Sequence, residues 1–483
     1  MLQSLQPLFI GQQYHWLHEM QQTHRVWQDE RTGEWHVFHY EDVKHVLSDY
    51  ATFSSQREPN TEVSRQFMEN SFLMMDPPQH RRYRGLVASV FTPRAISTRA
   101  ARIKEIVQEQ VDRVRPTGRM EVVGDLAYPL PVTVIAEMLG LPAEDHDRFR
   151  GWAHQLLPQD EETDLPQAAR DKLVQRLQAA DEADLPHPAR EKLIQYIQTP
   201  GRAALPPEVK ARLIQRLQSQ GLAGLPSRAQ AWLLQSLQTE GQTDRSSPQD
   251  NERLQRRLAI VQEMNAYFLQ KIEERRQHPQ EDILTGLVHA EVEGERLTAE
   301  EILGFARLLL IAGHASTMAL LSTAILCLDE YPDVREQVRQ HPELVSGTIE
   351  EVLRYAFVLK PLKRRTTVDV QIGEAHIPAQ SPVLAWVSAA NHDPAQFAEP
   401  ERFDIRRSPN RHLTFGHGIH ACIGAPLARL EASIALPLML EQLPQMQRVP
   451  GSPLDILESG SFLWFRRLPI TFQPSPSARP IAS

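Results

Sequence analysis

The stretch FGHGIHACIGAPLARLE, Phe415 to Glu431, governs how the rest of the chain is read. Gly416 and Gly418 bracket a tight loop, Cys422 follows, and an apolar helix starts at once with small residues that permit close approach. A cysteine at a helix N-terminus gains thiolate character from the helix dipole and the free N–H groups. Such a sulfur is a nucleophile or a metal ligand. A zinc site using His417, His420 and Cys422 would want a fourth ligand at tetrahedral spacing, and the other cysteine, Cys327, sits in an apolar run. An inert buried cysteine would leave the flanking Gly-x-Gly and Cys-x-Gly unexplained.

These residues carry a resemblance. FGHGIHACIG is similar to the haem-binding loop of the cytochrome P-450 family, with Phe415, Gly416, Gly418, His420, Cys422 and Gly424 in the family's places. The resemblance implies that the Cys422 thiolate is the proximal ligand of a haem b iron and that its electron donation favours O–O cleavage. Further pieces occur in the expected order. EEVLR holds Glu351 and Arg354 at i, i+3, by itself an unremarkable surface pair worth about 0.2 to 0.5 kcal/mol. With PERF (Pro400 to Phe403) downstream, the resemblance implies a buried network of Glu351, Arg354 and Arg402 behind the haem. DPPQHRRYRG sets His80 and Arg84 four apart on one helix face. Read alone this is a solvated basic face; the resemblance assigns His80 and Arg84, together with Arg364 and His420, to the two haem propionates. Arg365 is adjacent, so Arg364 rests on counting back from Asp369.

Working outward, the bulk numbers suit a globular protein of 483 residues with a large core. A formal charge of -9 argues against a nucleic-acid partner. Two cysteines exclude a disulfide framework, and MLQSLQPLFIGQQYHW lacks the pattern of a secretory signal, so a cytoplasmic location is expected. EWHVFHY (Glu34 to Tyr40) and parts of Val368 to Val387 read as strands, while most other segments have helical period. The expected fold class is mainly α with a small β-sheet region, and the resemblance makes it a cytochrome P-450 fold.

One region stands apart. Leu-Pro recurs at Leu165, Leu185, Leu205 and Leu225, each followed at fixed offsets by Leu-apolar-Gln-x-apolar-Gln. This fourfold repeat of period 20, residues 165–244, reads as an inserted array of short helices with Pro in the first turn. A duplicated spacer and a lid or partner-docking surface are the two readings of it. The haem domain is then 1–164 with 245–483, a bacterial-sized remainder.

The run LLLIAGHASTMALLSTAILCL, Leu308 to Leu328, is long enough to cross a membrane or to be a buried core helix. The resemblance favours the second: a distal helix whose AGHAST segment faces the oxygen site, with small Ala312 and Gly313 letting it approach the iron. No membrane partner is expected. The family usually has an acid then Thr where this chain has Ala315 and Ser316. Proton delivery then falls to Ser316, Thr317, water or a substrate hydroxyl, while His314 lies about 200° from Ser316 around the helix.

The implied activity is a monooxygenase that hydroxylates or epoxidises a lipophilic small molecule with dioxygen, using an external ferredoxin and ferredoxin reductase. Arg81, Arg82 and Arg429 are candidates for the docking face. A peroxide-using or rearranging relative, and a haem-binding interaction protein whose repeats recruit a partner, are the alternatives.

Overall fold

A computed structural model describes residues 11–30, 32–56, 71–88, 91–156, 248–292, 294–357, 359–452, 454–457 and 463–475, with single residues 68, 174 and 194. The chain divides into two compact units, Met1–Pro158 with Arg257–Ser483, and Gln159–Arg256. Apart from Val174 and Ile194, the four repeats lie outside the described residues.

Helices dominate the first unit, as the periodicity predicts, and sheets are few. The main sheet uses β1 (Val26–Gln28), β2 (Trp35–Val37), β3 (Phe53–Ser54), β4 (Leu362–Thr366) and β5 (Pro382–Ala385), in the order β1-β2-β5-β4-β3. The expected strand at Glu34 to Tyr40 is therefore shorter, because Tyr40 already opens the helix Tyr40–Ser48. β5 runs parallel to β2 and antiparallel to β4, with Val383 opposite Arg364.

The apolar run becomes the interior of a 32-residue central helix, Ala299–Glu330. It starts with a capping box: Thr298 Oγ1 accepts from the Glu301 N–H, and Glu301 accepts from the Thr298 N–H at 2.7 Å. Within its most apolar window 82% is buried by the fold, so it is a core helix and needs no membrane. It packs on the helices Pro129–Met138, Val345–Tyr355 and Ala425–Gln442. Gly313 serves this packing: a Cβ there would lie 2.8 Å from Ile135 Cδ1. A second tie joins its first turn to the helix Gln79–Ala88, where the Tyr83 hydroxyl donates to Glu301.

The Glu351–Arg354 pair is fully buried. Arg354 donates from Nη2 to Glu351 Oε1 at 2.7 Å and from Nε to Oε2 at 2.9 Å. Its remaining N–H groups reach the carbonyls of Asn391 (3.0 Å), Pro400 (2.9 Å) and Arg402 (3.1 Å). Glu351 also accepts from the Asp404 N–H at 2.9 Å and from Asn410 Nδ2 at 3.0 Å. Burial of an ion pair is tolerable only with such complete pairing. The expected role of the Arg402 guanidinium is corrected: that side chain is 63% exposed and pairs with Glu399, and Arg402 contributes its carbonyl instead. The second cation at Glu351 is Arg407, 3.3 Å away and 9% exposed.

Truncation at these positions separates the roles. Arg354→Ala should cost about 3 to 5 kcal/mol by stranding a buried carboxylate, while Arg402→Ala should stay within about 0.5 kcal/mol. Urea midpoints of the haem-loaded chain at equal m-value measure both, and equal losses would refute the assignment.

Candidate functional site

The loop before Cys422 is shaped by its glycines. Gly416 and Gly418 have φ of 71° and 70°, the left-handed region, and a Cβ on Gly418 would lie 2.7 Å from the Leu47 carbonyl oxygen. The Cys422 N–H then donates to the Phe415 carbonyl at 2.7 Å. Gly424 caps the helix Ala425–Gln442, with Pro426 in its first turn where no N–H is needed. Protein surrounds Cys422 on most sides, yet its surface is open.

The expected depression of the thiol is not what the folded chain produces. Burial pushes the Cys422 thiol above its ordinary value; the N–H groups of Gly424 and Ala425 and the charges of Arg84 and Arg429 pull the other way without prevailing. Two N–H dipoles do not replace lost water around a thiolate. A metal ion would, since a coordinating thiol is deprotonated outright.

The four predicted propionate partners converge. The rings of His80 and His420 are 4.4 Å apart. None of their four nitrogens has a hydrogen-bond partner, although the Met75 carbonyl lies near His420 outside bonding geometry. Burial pushes the His420 imidazole down to about 3, with Arg364, His80 and Arg84 adding to the effect; burial and Arg84 likewise lower His80. Asp76 opposes this at His80, but its oxygens already accept from Ser54 and Ser55. Arg84 donates to the Ala421 carbonyl at 2.5 Å, which ties its helix to the cysteine loop. Along β4, Arg364 shares the inward alternation with Leu362 and Thr366, while Arg365 points outward. A group with two carboxylates, an iron and a flat apolar body is what this donor set fits, and haem b has that composition.

On the central helix Ala312 is exposed and Ser316 half-buried, one turn apart on one face. Ser316 Oγ donates to the Ala312 carbonyl at 3.0 Å, leaving its lone pairs to accept. Thr317, about 100° further round, is 3% exposed and packs into the core, and Ala315 is equally buried. His314 points away: its Nδ1 is bonded to the Leu310 carbonyl, its ring meets Tyr128 edge-on at 5.8 Å, and burial pushes it down to about 4.

The proposed donor-facing cations do not form a free cluster. Arg82 pairs with Glu295 at 3.0 Å and Arg429 with Glu350 at 2.6 Å. Sequence reasoning missed this second pair and also Phe72, whose ring sits 5.9 Å from His80 and 6.2 Å from Phe305 of the central helix. The Glu350–Arg429 and Phe72–Phe305 contacts had no local signal, because the partners are far apart in sequence.

A family model described as Cytochrome P-450 matches residues 245–466. The putative cytochrome P-450 YjiB of Bacillus subtilis is 34% identical over 440 residues, 91% of this chain and 89% of the relative. The chain belongs to the cytochrome P-450 family. The cyclomarin C epoxidase CymV of Salinispora arenicola is 33% identical, with 95% and 96% of the two chains covered. Among solved structures, substrate-free CYP109E1 from Bacillus megaterium superposes with a TM-score of 0.74 at 32% identity, covering 96% of this chain and 99% of that one. The same enzyme has been solved with corticosterone, matching at a TM-score of 0.72 and 31% identity over 95% and 98% of the chains. This P-450 is accordingly a haem b enzyme of the monooxygenase class.

Two measurements probe the site. Cys422→Ala should abolish the carbon monoxide Soret band characteristic of thiolate ligation while the chain stays folded. His80→Ala and His420→Ala should each speed haem release to a scavenger about 10- to 100-fold, the loss of one charge-assisted hydrogen bond worth about 1.5 to 3 kcal/mol; unchanged release would remove these residues from the propionate set.

Proposed function

We propose that this P-450 inserts one oxygen atom of dioxygen into a C–H bond or double bond of a lipophilic small molecule in the cytoplasm, with electrons from a ferredoxin and its reductase. The observation that carries this reading is the open Cys422 surface set among His80, Arg84, Arg364 and His420. Haem, when bound, supplies the dioxygen activation, which takes two electrons and two protons per turnover. The protein's own residues do the rest. Cys422 would hold the iron, and Phe415 accepts its backbone N–H. His80, Arg84, Arg364 and His420 would hold the propionates. The small Ala312 would leave space for the cofactor beside the central helix, and Ser316, which donates to the Ala312 carbonyl, would be free to accept a hydrogen bond from water or from a substrate hydroxyl. Thr317 belongs to the same proton route only through a change of rotamer, since it packs inward. The epoxidase activity of one relative and the steroid complex of another support an apolar substrate. Residues 165–244 are an inserted array of tandem helical repeats in this reading, a duplicated spacer or a lid or partner-docking surface.

Ala315 favours a second reading. The family's acid is replaced by a buried methyl, so no side chain of the AGHAST segment carries a transferable carboxyl proton. A peroxide-using or rearranging enzyme needs less proton delivery. The decisive comparison measures product, donor consumption and peroxide release with a ferredoxin system and then with peroxide alone. Donor-driven product establishes the monooxygenase; product with peroxide only establishes the alternative; no turnover under either, with tight partner capture by 165–244, establishes an interaction protein. Ala315→Glu should raise the fraction of electrons recovered in product in the first case, and a compound library screened for a spin-state shift identifies the substrate class.

A further inference from the structure

Helix Val345–Tyr355 carries two consecutive glutamates with opposite duties. Glu351 is locked inside with Arg354, whereas Glu350 turns toward the cysteine loop. Arg429 grips Glu350 with both arms, Nε to Oε1 at 2.6 Å and Nη2 to Oε2 at 2.8 Å. His412 Nε2 lies 3.0 Å from the same Oε2. The Arg429 guanidinium carbon stands 4.4 Å from the centre of the Phe415 ring, and the His412 ring is 5.9 Å from it. Phe415 in turn accepts the Cys422 N–H. Arg429 is seven residues past Cys422, and helical side chains lean toward the N-terminus, which is why its head group reaches back over the loop.

We infer that Arg429, a positioning residue acting across Phe415, sets the reduction potential of the Cys422-ligated iron, and that Glu350 holds this cation in check. The inference rests on the haem–thiolate assignment of Cys422. Reduction adds one negative charge to the iron–thiolate unit, so a nearby cation favours the reduced form and a nearby anion opposes it. With both partners present the two fields largely cancel. The Arg429 side chain is 42% exposed and that of Glu350 24%, so solvent weakens the effect without removing it.

The arrangement has a sign that a purely structural role would not have. Glu350→Gln leaves the cation uncompensated and should raise the potential. Arg429→Gln leaves Glu350 facing Phe415 with only His412 beside it and should lower the potential. The double variant should return to within twofold of the parent in the ferric/ferrous equilibrium, and so should Arg429→Lys, which keeps the charge but not the two-armed grip. Glu350→Gln and Arg429→Gln are each expected to shift that equilibrium three- to tenfold, tenfold being about 59 mV for one electron. Redox titration of the haem-loaded full chain at low and high salt reads these shifts, which shrink as salt rises. Shifts of both single variants in the same direction, or below twofold, overturn the inference. The carbon monoxide spectrum of each sample separates the two levels of the argument: a thiolate-type Soret band with no shift defeats the role of Arg429 alone, and its absence from the parent protein defeats the ligand assignment beneath it.

Discussion

A charge cannot be buried cheaply, and the buried Glu351–Arg354 pair turns that constraint into architecture. Each unmet lone pair or N–H in this region would cost on the order of 1 to 3 kcal/mol. The chain meets them with the carbonyls of Asn391, Pro400 and Arg402, the N–H of Asp404 and the side chains of Asn410 and Arg407. Residues 391 to 410 have no long helix or strand of their own, yet they acquire one path because these groups must converge on two side chains. That path delivers the chain to Leu413, where Asn391 accepts the backbone N–H at 2.8 Å, and thence to the cysteine loop. The position of Cys422 is inherited from this polar network as much as from the apolar core.

The opposite side of the site is held by a different device. The capping box of the central helix and the Tyr83 hydroxyl share one carboxylate, Glu301. A single residue therefore stabilises the start of the distal helix and fastens to it the helix that bears His80 and Arg84. Phe72, edge-on to His80 and stacked on Phe305, repeats the connection in apolar form. The central helix, the helix Gln79–Ala88 and the cysteine loop are in this way tied in series, the last link running through Arg84 and the Ala421 carbonyl.

Much of this was legible in the sequence because the informative contacts are local or carried by rigid spacing. The loop glycines, the cysteine and the helix that follows are contiguous, and their conformations follow from backbone sterics. The amphipathic periods and the buried apolar helix were equally readable. What failed was choice among like residues brought together by long connections. Arg402 and Arg407 lie five apart in one irregular segment, and only the folded path shows which guanidinium turns inward. The packing role of Gly313 is likewise invisible in sequence, because Ile135, which fills its missing volume, lies on another helix. The thiol of Cys422 was expected to be acidified by its helix, and burial outweighs that dipole. In each case a three-dimensional neighbour, absent from any window of sequence, decided the outcome.

The unpartnered imidazoles of His80 and His420 have a consequence for the life of the protein. Their four buried nitrogens find no partner within the protein, so a ligand carboxylate is the natural group to accept from them. A ligand that satisfies them adds its binding free energy to that of folding. Cellular abundance would then follow the supply of cofactor, because proteases sample the opened chain in proportion to its population. Histidines that seat the cofactor, as proposed for His80 and His420, would thereby also act as a checkpoint in biogenesis, exposing an unloaded chain to turnover before it could draw electrons.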